Sequence, residues 1–186
     1  MTSILKVDTI QTAAGGTPTA ADLGLNVSGS VLQVVSVTKT DTFSSSATTG
    51  QYVNVTGLSA SITPTSSTSK ILVTAVVNGS RSGDYPILGF AVTRNGTLVG
   101  VGDAAGSRPR ITSSAFVFSS DPNNMSNAVN TFLDTPATTS ALTYQVQVVG
   151  MSSTTTTLYV NYGANQADNG AGGRPISTIT LMEIAG

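Results

Sequence analysis

The stretch LTYQVQVV, Leu142–Val149, decides how this chain is read. Leu142, Tyr144, Val146 and Val148 alternate with Thr143, Gln145 and Gln147, so one side of an extended backbone is apolar and the other polar. Strand side chains switch faces at every residue, whereas a helix needs a repeat of about 3.6 residues to keep one face apolar. The stretch is therefore a half-buried strand. Leu158, Val160 and Tyr162 repeat the pattern. Ile71, Val73, Ala75 and Val77 form one face of another strand, and Leu72 and Val76 make its second face apolar too, as in a strand packed on both sides.

Working outward, further strands are expected at residues 31–40, 52–62, 87–94, 111–118, 128–134 and 176–184. Asn95-Gly96 sits between two of the apolar runs, and this pair suits a type I′ hairpin turn because both positions need positive φ. Pro64, Pro86, Pro109, Pro122 and Pro136 fall between expected strands, where a residue without an N–H costs no ladder bond. Past residue 30 no window carries a helical stripe. Eight or more strands at this spacing imply an all-β fold, an antiparallel β-sandwich or jelly roll.

Composition narrows the chemistry. Charged residues make up 9% of the 186 positions, while 53 are Ser or Thr, so hydroxyls take over the solubilising role of charge. The formal net charge of −1 offers no basic patch for nucleic acid. There is no Cys, which removes disulfides, thiolate nucleophiles and Cys-ligated metals. There is no His, which removes the usual general base and the commonest transition-metal ligand. No cofactor and no metal is expected. No apolar run approaches the length of a signal-peptide core or a membrane span, so neither export nor membrane insertion is expected.

The first 29 residues differ from the rest. Ile4, Leu5, Val7 and Ile10 are aliphatic, the segment is too short to fold alone as helix or strand, and Gly15-Gly16 and a Pro-containing linker follow. Apolar residues that cannot be buried at home are expected to be buried on another chain. The division is thus an attachment segment and linker, 1–29, short and extended or helical, ahead of a β-sandwich, 30–186.

Candidate sites are few. Gly100–Gly106, GVGDAAG, lacks the Gly-Lys-Ser/Thr ending of a phosphate loop and reads as an inter-strand loop. The Asp168 loop offers one carboxylate where a calcium site needs several. Asp103, Asp121 and Asp134 are scattered, so no catalytic pair is assigned and the protein is expected to be no enzyme. Asp103, Arg108, Arg110, Asp168 and Arg174 are the exposed-loop candidates for contact with a receptor, Arg being suited to fork-shaped recognition of carboxylates. Among the tyrosines, Tyr144 and Tyr162 fit core-facing positions better than sugar-stacking ones.

Four stretches carry a resemblance. SILKVDTIQTAAGG, residues 3–16, resembles the N-terminal segment of structural and fibre proteins of marine tailed bacteriophages, especially those infecting cyanobacteria. The stretches GLSASITPTSSTSKILVTAVV (57–77), TFLDTPATTSALTYQVQV (131–148) and RPISTITLMEIAG (174–186) resemble the β-structured tip domains of such fibres. The resemblance implies a homotrimer whose N-terminal segment, through Ile4, Leu5, Val7 and Ile10, attaches to other virion proteins of tail or capsid. It also implies an outward-pointing head of the C1q and tumour-necrosis-factor type, its job either adhesion to the host surface, with glycan as the candidate partner, or capsid decoration. Strands 70–78 and 176–184, apolar on both faces, would pack around the threefold axis, with Val73, Val77, Ile179 and Leu181 as trimer-core candidates. No long repetitive shaft separates anchor from head, so the implied object is a short tail fibre or appendage, or else a capsid decoration or head fibre; the alternative from another class is a carbohydrate-binding module, which would need an export signal.

Overall fold

The alternating stretches fold as strands, two of them shorter than expected. The computed structural model describes residues 8–18, 23, 28–83, 87–117, 123–165 and 172–186, and among these every regular element is a β-strand. They are β1 (Val31–Lys39), β2 (Phe43–Ala47), β3 (Tyr52–Ile62), β4 (Lys70–Arg81), β5 (Ile87–Arg94), β6 (Thr97–Val99), β7 (Ser113–Phe116), β8 (Ser126–Asp134), β9 (Leu142–Val149), β10 (Thr156–Val160) and β11 (Ser177–Ile184). β2, FSSSA, was not expected from the sequence: it holds one large apolar residue and takes its strand form from pairing with β10. The expected strand 111–118 forms only over β7, and Asn161 (φ 65°) ends the strand expected to reach Tyr162.

All pairings are antiparallel. Sheet A runs β1-β11-β4-β8, with β10 continuing beyond β11 along the same edge of β4 and carrying β2 on its far side. Sheet B runs β3-β9-β5, with β6 and β7 sharing the outer edge of β5. The order β1-β11-β4-β8 against β3-β9-β5-β7 is that of a jelly roll, so the expected β-sandwich class holds. Asn95 (φ 48°) and Gly96 (φ 83°) make the β5–β6 turn, as their type I′ chemistry requires.

The two inner faces meet in one core. Ile71, Val73, Ala75, Val77, Leu158, Ile179 and Leu181 come from sheet A, and Leu58, Phe90, Val92, Tyr144, Val146 and Val148 from sheet B, all completely buried. Each large aliphatic side chain so buried stabilises the fold by about 1.5–3 kcal/mol.

Side-chain hydrogen bonds hold the irregular places. β3 carries three extra residues between its pairings at Asn54 and Ser59, and the Gln145 amide donates to the displaced carbonyls of Val55 and Leu58 at 2.9 and 3.1 Å. Asn161, fully buried, donates through Nδ2 to the carbonyls of Lys39 and Asp41 at 2.8 and 2.9 Å and accepts from the Ser177 hydroxyl at 2.6 Å. It thereby joins the β1–β2 and β10–β11 breaks. Along the β7–β8 side, Asn130 Nδ2 donates to Thr112 O at 2.7 Å and Ser113 Oγ to Val129 O at 3.2 Å, tying one sheet to the other.

Candidate functional site

The four trimer-core candidates are corrected by their position. Val73, Val77, Ile179 and Leu181 are completely buried inside the single chain, between its own sheets, so they have no surface left for a neighbour. The period-two rule places them together correctly, but periodicity cannot say which of two apolar faces looks inward. The residues left outside are their alternates: Leu72, Thr74 and Val76 on β4, and Thr178, Thr180 and Met182 on β11.

Those alternates build the outer face of sheet A. Cross-strand register puts Leu133, Leu72, Met182 and Val34 side by side in one row across β8, β4, β11 and β1. The next row is Thr131, Thr74, Thr180 and Ser36. Its hydroxyls bond one another, Thr74 with Thr131 at 3.0 Å and Ser36 with Thr180 at 2.8 Å. A third row holds Val129, Val76, Thr178 and Thr38. Val34, Leu133 and Val129 are 55%, 49% and 49% exposed. None of these twelve side chains is charged.

The opposite outer face is different. Ala91, Thr93 and Val149 alternate with core residues of sheet B, so they point away from the core, yet they too are buried. Tyr52, paired with Val149 on this side, donates from its hydroxyl to Arg110 O at 2.9 Å, which ties the loop of residues 100–112 to the sheet.

Of the receptor candidates, Asp103, Arg108 and Arg110 lie exposed on that loop, where Arg110 Nε donates to Gly102 O at 2.6 Å. Arg174 is exposed elsewhere, its guanidinium 5.4 Å over the ring of Tyr162, whose neighbour Tyr159 meets it edge-on at 5.0 Å. Arg174 precedes β11, beside a groove of about 360 Å³ lined by Asn78, Met125, Ser126, Asn127 and Pro175. The loop candidates are thus held on sheet B and Arg174 near the end of β4 in sheet A, rather than gathered in one site. Asp168 lies outside the described residues, as do Ile4, Leu5 and Val7 of the attachment segment; Ile10 is described and 52% exposed.

Charge is used mainly for internal bonding. Arg94 Nη1 donates to both carboxylate oxygens of Asp134 at 2.7 and 2.6 Å, and the Tyr144 hydroxyl donates to Oδ2 at 2.6 Å. Arg94 and Tyr144 belong to sheet B and Asp134 to sheet A, so this cluster clamps the sandwich. Burial, then the hydrogen bond to the carboxylate, pushes the Tyr144 phenol well above its usual range. Glu183 is covered from solvent but lies shallowly, accepting from Gln33 Nε2 at 2.6 Å and from Thr65 N and Oγ1 at 2.7 Å each. Burial acts to raise its pKa, but the donors outweigh it and leave the carboxyl below its ordinary value. Lys39 Nζ, also covered, donates to the exposed Asp41 at 2.8 Å.

Sequence reasoning missed Arg94, Glu183 and Asn161 as structural anchors. Glu183 was legible, since it follows Ile179 and Leu181 on the inward face of β11; the partners of Arg94 come from distant strands and were not. Among the described residues no three His, Cys, Asp or Glu side chains cluster as a metal ion would require. No protein-family model matches the chain, and no curated protein matches it.

Proposed function

We propose that this protein is a non-enzymatic structural component of a phage virion: a trimeric β-sandwich head displayed through its N-terminal segment as a short tail fibre or appendage, and contacting the host surface. The observation that carries the reading is where the sandwich starts. Backbone pairing with the last strand begins at Gly29 and Ser30, through Gly29 N to Ala185 O and Ala185 N to Ser30 O, both 2.8 Å. Among the described residues, the core cluster and the hydrophobic residues packed on it draw on none before Val35, and Ile10 is left half in solvent. A described core that begins at Val35, with Ile10 exposed, supports a head distinct from the segment that carries the attachment residues. Threefold valency multiplies a weak single contact, because the second and third segments bind at high effective concentration.

Deleting residues 1–24 tests the proposal. The shortened protein should keep the melting temperature and oligomeric mass of the full chain but fail to join particles when phage assemble in its presence. Normal incorporation of the shortened protein would remove the anchor from the account. Locating the full-length protein in a particle reconstruction separates a tail appendage from the second arrangement, a capsid decoration.

A further inference from the structure

We infer that the outer face of sheet A is the surface through which copies of this chain pack on one another, with Leu72, Val129, Leu133 and Met182 at its apolar centre. The inference rests on the self-associating head proposed above and names where it associates. Three observations carry it.

First, three adjacent rows of the face are uncharged, with Val34, Val129 and Leu133 about half exposed, and the one charge beside them, exposed Lys70 paired with Ile184, stands at the rim. Packing the neutral rows of several copies about one axis buries no ion at the centre of the contact and sets no like charges against each other there. Nucleic acid, an acidic peptide or a lipid headgroup would each require charge that these rows lack; a second neutral face matches them. Second, the polar row between the apolar ones is already satisfied, Thr74 with Thr131 and Ser36 with Thr180. Burying hydroxyls that keep their partners avoids the cost of an unpaired polar group. Third, the two outer faces are treated unequally. On sheet B the central outward residues Ala91, Thr93 and Val149 are already buried within the chain, leaving Phe116 exposed at the β7 edge, whereas Val34, Val129 and Leu133 on sheet A are spread exposed across the sheet.

The size is adequate. Four strands about 4.8 Å apart and eight residues long at about 3.3 Å each project roughly 500 Å² before side-chain relief is added. A stable interface removes about 800 Å² per partner, so an interface of ordinary size takes up nearly the whole face.

The chain has no Cys, so a single introduced thiol is a unique probe. Thr131→Cys lies in the middle row of the face, exposed on β8, and Thr56→Cys, exposed on β3 of the other sheet, serves as control. Light scattering on the full chain at micromolar concentration gives the mass, and maleimide labelling gives the two rates. The inference expects a multimer in which position 131 labels at least about tenfold more slowly than position 56, the gap closing on dilution below the dissociation constant. A multimer with equal rates overturns the assigned face and leaves self-association standing. A monomer overturns both. Leu133→Lys adds a second arm: the folded variant, checked by circular dichroism, should run as a monomer, and a folded multimer would refute the inference.

Discussion

Replacing Asp134 with alanine removes the one group that Arg94 and Tyr144 share. Three short, charge-assisted hydrogen bonds of 2.6–2.7 Å disappear together. The side chains of Arg94 and Asp134 are 26% and 12% exposed, so this is a largely buried pair with one end open to water. Removing one member of a fully buried pair costs about 3–5 kcal/mol. Arg94 can rehydrate in part, which lowers that figure, but the phenol of Tyr144 is left without its acceptor, a loss of about 1–3 kcal/mol. The expected destabilisation is about 3 kcal/mol. With a urea m-value of about 2–3 kcal/mol/M, the unfolding midpoint falls by roughly 1–1.5 M. Urea titration followed by far-ultraviolet circular dichroism, at matched protein concentration, reads this directly. Asp134→Asn keeps one acceptor oxygen for Tyr144 and is expected to lose about half as much. A midpoint shift below about 0.3 M for Asp134→Ala would refute the argument, since that is the range of an exposed ion pair.

Three further outcomes follow from buried polar groups. The folded pKa of Tyr144 is raised above its unfolded value, so its proton is kept when the unfolded chain ionises. Stability should therefore be full below about pH 10 and fall as pH rises beyond it, and Tyr144→Phe should flatten the fall in an alkaline melting series. Glu183 has the opposite sign: its folded pKa is lowered, so its contribution is present above about pH 4.3 and lost as pH falls through the folded value. Glu183→Gln should weaken that acid dependence and cost about 2 kcal/mol at neutral pH, because an amide N–H would face the donors of Gln33 and Thr65; an unchanged acid melting profile would count against the cage. Asn161→Ala frees the buried carbonyl of Lys39, the partly buried one of Asp41 and the Ser177 hydroxyl, for an expected loss of about 2–3 kcal/mol in the same urea assay.

Legibility differed by element for physical reasons. β3 and β5 match their expected bounds because alternation and flanking turn residues mark both ends. β2 was invisible because FSSSA has no pattern of its own and exists only as a partner of β10. The residues of Ile71–Val77 were correctly divided into two faces, but both faces are apolar, so nothing local assigned Val73 and Val77 to the interior rather than to a neighbour. The register settled it, by pairing Val73 with Phe132 and Leu181 in a sheet whose inner face meets sheet B.

What the sequence determined by itself is the period, the turns and the chemistry that is missing. Those follow from short-range rules, since alternation, positive φ at Asn95-Gly96 and the absence of Cys and His each involve a few residues or a count. What only the tertiary structure decided is which partners meet. Arg94 and Asp134 are 40 residues apart, and Gln33 and Glu183 150 apart. The neutral rows of sheet A assemble from four strands drawn from both ends and the middle of the chain. Long-range pairing sets these neighbourhoods, so a reading from local pattern finds the strands but not the surface they make together.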